Sequence, residues 1–184
     1  MNTALVLVDI QNDYFPGGRN PLLEPEAAAA RAAGALALFR ERGWPLFHIQ
    51  HVNTNLAATF FLDGTDGMKI HSSVAPLPGE PVVVKHRPDS FYQTDLHDRL
   101  DSVGACRLVV CGMMSHMCID TTVRSAKGRD YEIVLLHDAC TTRDLEWEGA
   151  VIPAAIVHGA YMAALRGTFA EVMSSGDLPG ILDR

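Results

Sequence analysis

No run of eighteen uncharged apolar residues occurs in this 184-residue chain, so no membrane-spanning helix is expected. There is no GxGxxG and no Walker-type GxxxxGK, so no nucleotide fingerprint is present, and HExxH is missing too. Positive charge is sparse: 15 Lys and Arg stand against 22 Asp and Glu, a net charge of −7. A nucleic-acid surface wants clustered Lys and Arg, so no nucleic-acid partner is expected. The start, MNTALVLVDIQ, lacks a basic n-region and its apolar run is one strand long, so no signal peptide is expected. The four cysteines (Cys106, Cys111, Cys118, Cys140) form no CxxC pair and no disulfide-rich spacing. A reduced, cytoplasmic setting fits that usage. Cys106, Cys111 and Cys140 read as core residues.

What is present suits one domain over residues 1–184, with 48% hydrophobic and 20% charged residues. Residues 3–9 read as a buried parallel strand, short, continuous and rich in Val and Leu. Residues 24–41 read as a helix, with Pro25 and Glu26 in the first turn and Gly43 past the end. WPLFHIQHV reads as a second strand. Residues 53–80 show no clear period, and so long an irregular segment is uncommon unless functional. It reads as a substrate-covering loop or as a set of short elements. Residues 81–85, 107–111 and 131–136 read as strands, and 168–173 as a sixth. Helices are expected over 94–102, 116–127 and 144–165, the last kinked or split by Pro153. Alternating strands and helices predict a Rossmann-like three-layer α/β/α fold with a mainly parallel sheet of five to six strands.

Three reactive side chains each lie just past an apolar strand: Asp9 after TALVLV, Lys85 after PVVV, and Cys118 after RLVVCG and a short turn. In an open α/β sheet the strand C-termini face one crevice, so the three can meet. Cys118 lies in a strand–turn–helix setting like the nucleophile elbow of hydrolases. A helix N-terminus and a nearby Lys favour a thiolate there, although a lone Cys is more often core. Backbone N–H groups of the MMSHMC turn can converge on an oxyanion. Asp9 closes a wholly apolar strand and needs a partner there. It suits a general base towards the thiol and a general acid towards a leaving amine, or else a turn cap, a role that Asp13 fits better. Lys85 reads as a fixed cation holding Cys118 as thiolate and Asp9 in place, or as a solvated strand end. His48 and His51 are three apart on a strand, face opposite ways and cannot chelate together. His137 and Asp138 fall near the crevice without an assigned role.

The segments LVLVDIQNDYF, VVVKHRPDSF and VVCGMMSHMCIDTTVRSAKGRDYEIVLLHDAC together resemble the isochorismatase-like cysteine hydrolases, which include nicotinamidases, N-carbamoyl amide hydrolases and maleamate amidohydrolases. The resemblance runs from residue 4 to about residue 165. It implies that Asp9, Lys85 and Cys118 form a catalytic triad, that the Met113–Met114 peptide is cis, and that the N–H groups of Met114 and Cys118 form the oxyanion hole. It also implies a homo-oligomer. Metal-dependent nicotinamidases carry an Asp-x-His pair after the second strand. Here that region reads HIQHVNT, so neither a metal nor any other cofactor is expected. Isochorismatases proper typically lack the nucleophilic Cys, so Cys118 points to C–N bond hydrolysis.

The expected activity is therefore metal-independent cysteine hydrolysis of a small amide, carbamoyl compound or lactam through a thioester. The alternative is vinyl-ether hydrolysis by Asp9 without a covalent intermediate. A phospho-receiver module would need an Asp where Lys85 stands, and a silent interaction protein would leave Cys118 ordinarily reactive. Gln11, Phe15, Phe60, Phe61 and Tyr92 are candidates for the substrate pocket.

Overall fold

The computed structural model describes residues 2–55 and 57–182. Strand β1 (Thr3–Val8) is followed by helix α1 (Pro25–Arg42), β2 (Leu46–His51), β3 (Val82–Lys85) and α2 (Leu96–Ser102). Then come β4 (Arg107–Met113), α3 (Asp120–Lys127), β5 (Glu132–Thr141) and a hairpin of β6 (Leu145–Trp147) and β7 (Ala150–Ile152). Helix α4 (Ala154–Leu165), β8 (Glu171–Met173) and α5 (Leu178–Leu182) complete the described chain. Six strands form one sheet in the order β3-β2-β1-β4-β5-β8. Every pairing in it is parallel.

Side chains alternate across a strand, and β1 shows both consequences. Ala4, Val6 and Val8 pack into a core with residues of α2, α3 and α4, whereas Leu5 and Leu7 pack with α1 and α5. Helices thus cover both faces, which is why the strands read as continuous apolar runs. Helix α1 starts with Pro25 at its first position and stops at Gly43, whose φ of 62° is left-handed.

The chain runs outward from β1 through β2 to β3, then returns to lay β4 on the other side of β1. That reversal puts a topological switch point between β1 and β4, where the crevice of such sheets opens. Among the described residues, no helix is long and apolar enough to cross a membrane.

Two expectations are corrected. Residues 144–165 are not one helix: 145–152 form the antiparallel β6–β7 hairpin, and helix begins only at Ala154. Glu148 and Gly149 both take positive φ, 49° and 77°, the geometry of a tight hairpin turn. Pro153 therefore precedes the helix instead of kinking it, and the Ala154 N–H donates to Asp144 Oδ1 at 2.7 Å. Cys106 is exposed, not core, because it lies just before β4, whereas Cys111 and Cys140 are buried. Residues 116–127 are helical as expected, their first turn, Ser115–Ile119, being widened to π geometry where it runs into α3.

Residues 53–80 hold two short 3₁₀ turns, Asp66–Met68 and Ser72–Val74, and isolated bridges Gln11↔Ile70 and Asn53↔Leu62. Glu80 anchors the far end of the segment. It accepts from Arg40 Nε and Nη2, both at 2.7 Å, and from the Leu77 N–H at 2.8 Å. Its Oε2 also lies 3.0 Å from His48 Nε2.

Candidate active site

Asp9, Lys85 and Cys118 meet at the C-terminal edge of the sheet. Asp9 follows β1 with a φ of 51°, a left-handed conformation that Asp tolerates better than most residues. Gly112, near the end of β4, has φ 130°, and a Cβ there would lie 2.0 Å from Val8 O. Only glycine lets β4 pass that close to the strand end that aims Asp9. After β4 the Met113–Met114 peptide is cis. The turn that follows carries Cys118, and both the Met117 and Ile119 N–H groups donate to Met114 O, at 3.0 and 3.2 Å. The N–H groups of Met114 and Cys118 take part in neither of these bonds. Side chains bolt the turn to its surroundings: Ser115 Oγ lies 2.7 Å from His158 Nδ1 on α4, and His116 Nδ1 pairs with Thr142 Oγ1.

Lys85 Nζ joins the group. It lies 2.7 Å from Asp9 Oδ2 and donates to Cys118 Sγ at 3.3 Å. Asp9 and Lys85 side chains are wholly buried, so the ion pair works in a low-dielectric setting. Burial pulls the Lys85 ammonium down, but the charges of Asp9 and then Cys118 outweigh it, and the net shift is upward. Asp9 Oδ1 has no hydrogen-bond partner among the described residues. A buried carboxylate oxygen left open beside a thiol is an acceptor for a proton.

The buried setting of Cys118 opposes the thiolate that its position in the sequence favours. Burial, and then the Asp9 charge, push the thiol well above its ordinary value, and Lys85 offsets this only in part. The net pull at Cys118 is thus towards the protonated form. Lys85, 3.3 Å from Sγ, is the cation that opposes this rise.

His51 is the residue that sequence reasoning missed. It ends β2 directly opposite Lys85 in register. Its Nδ1 lies 3.2 Å from Lys85 Nζ and 3.9 Å from Asp9 Oδ2. Asp9, His51 and Cys118 offer donor atoms within 4.8 Å of one another, a set that could hold a metal ion. The Lys85 ammonium contacts all three donors, so the cluster already contains a cation. Burial lowers His51 to about 4, Asp9 opposes this, and Lys85, His86 and Arg87 reinforce it. Its signal in the sequence was its place at a strand C-terminus, where the crevice opens.

Residues 3–176 match the family model described as the Isochorismatase domain. This chain belongs to the isochorismatase family. An uncharacterized isochorismatase family protein of Bacillus subtilis, YddQ, is 51% identical over 175 residues, covering 95% of this chain and 97% of that one. The ureidoacrylate amidohydrolase RutB of Variovorax paradoxus is 27% identical over 190 residues, covering 85% of this chain and 74% of its own. A solved structure from Oleispira antarctica, named among the isochorismatase hydrolases, superposes with a TM-score of 0.93 at 49% identity, covering 97% and 96% of the two chains.

Within this isochorismatase-family site the expected pocket residues separate. Gln11 is buried and bonded to backbone. Its Nε2 donates to His51 O at 2.8 Å and Met68 O at 2.7 Å, and its Oε1 accepts from the His51 N–H at 2.8 Å. An amide with both ends spent on backbone is a peg holding β2 and the 53–80 segment. Phe61 is buried beside Tyr14 at 4.6 Å between centroids and His51 at 6.0 Å. Phe60 packs on the same pair at 5.9 Å from Tyr14 and 4.9 Å from Phe61. Phe15 stacks on His71 at 3.7 Å, on the loop side. Tyr92 is half exposed and makes no ring contact among the described residues. Asp13, the candidate turn cap, instead accepts from the Phe61 N–H at 2.6 Å and the Arg19 N–H at 3.1 Å, tying the 53–80 segment to the loop after β1. Tyr14, also missed, is buried and near enough for the charges on Cys118 and Asp9 to raise its hydroxyl, after burial.

Proposed function

We propose that this protein is a cysteine hydrolase that cleaves a C–N bond of a small amide, carbamoyl compound or lactam through a thioester. The carrying observation is the buried cluster in which Lys85 touches both Asp9 Oδ2, at 2.7 Å, and Cys118 Sγ, at 3.3 Å. Asp9 takes the thiol proton as Sγ attacks the substrate carbonyl carbon. The N–H groups of Met114 and Cys118 receive the oxyanion. Asp9 returns its proton to the leaving nitrogen, the C–N bond breaks, and an acyl thioester remains. Asp9 then removes a proton from water as the water oxygen bonds to the thioester carbon, the C–S bond breaks, Asp9 returns that proton to Cys118 Sγ, and the acid leaves. Covalent catalysis divides one hard step into two easier ones.

Because the thiol is held high by burial and by Asp9, proton transfer accompanies attack in this scheme. Lys85 supplies the positive charge that the nascent thiolate needs, so the scheme requires no added metal. Similarity to an amidohydrolase supports C–N chemistry.

The test incubates wild type and Cys118→Ala with a panel of small amides, N-carbamoyl compounds, lactams and isochorismate, reading ammonia or acid release and intact mass. Wild type should turn over at least one amide-class compound and carry an acyl adduct on Cys118, and Cys118→Ala should do neither. Turnover that survives Cys118→Ala would sink the covalent scheme and favour vinyl-ether hydrolysis through Asp9.

A further inference from the structure

The Lys85 ammonium has more acceptors than protons. Three N–H bonds face Asp9 Oδ2 at 2.7 Å, Arg87 O at 3.1 Å, His51 Nδ1 at 3.2 Å, Cys118 Sγ at 3.3 Å and Pro88 O at 3.4 Å. The acceptors fall into two sets. Arg87 O and Pro88 O belong to the chain leaving β3, two and three residues past Lys85 itself. Asp9, His51 and Cys118 arrive from β1, β2 and the nucleophile turn. Orientation of the ammonium is a balance between the two, and a neutral thiol is the weakest acceptor of the five.

An ammonium only donates, so the His51 nitrogen that meets it must carry a lone pair. That fixes the ring proton on Nε2. No hydrogen-bond partner for Nε2 is found among the described residues, so the polar anchoring of this ring runs through Nδ1. The backbone of His51 is held at both its N–H and C=O by Gln11, and the ring rests near Phe61. The groups facing the imidazole are Asp9, Lys85, His86 and Arg87. The ring thus stays neutral across the ordinary working range and keeps its lone pair on Lys85.

We propose that His51 is a positioning residue: its Nδ1 lone pair draws the Lys85 ammonium away from the Arg87 and Pro88 carbonyls and keeps it on Asp9 and Cys118 Sγ. Without that acceptor the ammonium tips towards the carbonyls, and the thiolate formed during attack loses its counter-charge. This deepens the hydrolase reading and rests on it, but the Lys85–Cys118 contact can be read without any substrate.

The probe is iodoacetamide, with alkylation of Cys118 followed by intact mass against pH in wild type, His51→Phe, His51→Asn and His51→Gln. Asn places an acceptor oxygen near the position of Nδ1, and Gln reaches instead to Nε2. The expected result is alkylation slowed about tenfold at neutral pH in the Phe and Gln variants, one pKa unit in the thiol, with Asn close to wild type. His51→Phe alkylating as fast as wild type would overturn the proposal. So would rescue by Gln but not Asn, which assigns the work to Nε2. If the variants fail to fold, ¹⁵N-histidine spectra of wild type decide it. An unprotonated Nδ1 and a protonated Nε2 on His51 between pH 6 and 8 support the proposal, and the opposite tautomer ends it. Failure of the hydrolase reading would appear separately, as wild type without turnover and an unchanged alkylation pattern.

Discussion

Lys85 reaches Asp9 across an intervening strand. Lys85 ends β3 and Asp9 follows β1, with β2 between them, yet Nζ and Oδ2 are 2.7 Å apart and both side chains are wholly buried. A charge pair in that position is costly to split, because removing one partner leaves the other uncompensated away from water.

Lys85→Met should therefore lower stability by about 3–5 kcal/mol. Asp9→Asn combined with Lys85→Met should cost less than the two single changes added, since each single removes the same interaction. Urea titrations of the three variants check this. Additive losses would mean the two groups do not interact as the geometry requires.

Gly112→Ala should be among the most damaging single changes to a small residue. The added Cβ would lie 2.0 Å from Val8 O at a φ of 130°, so both sterics and backbone strain oppose it. A loss of roughly 3 kcal/mol or more is expected, read as a fall in thermal midpoint. A variant as stable as wild type would mean that β4 is free to move away from β1.

Acid should weaken the fold before the carboxylates titrate. His51 falls from the usual 6.5 to about 4 in the folded protein, so the unfolded chain binds its proton first. Stability from this group is fully present above pH 6.5 and is lost as pH falls towards 4. The slope is about 1.4 kcal/mol per pH unit. Denaturant melts at half-unit steps should show it, and His51→Asn, which cannot titrate, should flatten the curve by that amount. An identical slope in the variant would place the effect on other histidines.

Glu80→Ala should loosen the end of the 53–80 segment. It removes the acceptor for Arg40, for the Leu77 N–H and for the buried His48. A loss of about 1–3 kcal/mol is expected, with faster proteolysis within residues 66–80 as the local readout. Unchanged cleavage would show that the 3₁₀ turns hold the segment without Glu80.

Much of the sheet was legible because parallel strands buried on both faces read as unbroken apolar runs, as in TALVLV and RLVVC. Asp9, Lys85 and Cys118 stood out because each breaks or follows such a run. The β6–β7 hairpin did not, since Ala150, Val151 and Ile152 suit a helix as well as a strand. The positive φ values of Glu148 and Gly149 and the antiparallel pairing of the two strands separate the two. Gln11 could be read as bonding substrate or backbone, because a polar residue near Asp9 has the same sequence signature in either role.

What the sequence determined by itself was the α/β class, the alternation of elements and the three reactive groups, all of which rest on local pattern. Tertiary structure alone decided that burial raises the Cys118 thiol, that His51 joins the cluster and that Gln11 is spent on backbone. Those outcomes depend on burial and on distances between residues tens of positions apart. Charge, proton and hydrogen-bond partner are properties of the assembled crevice, and no single segment of the chain contains it.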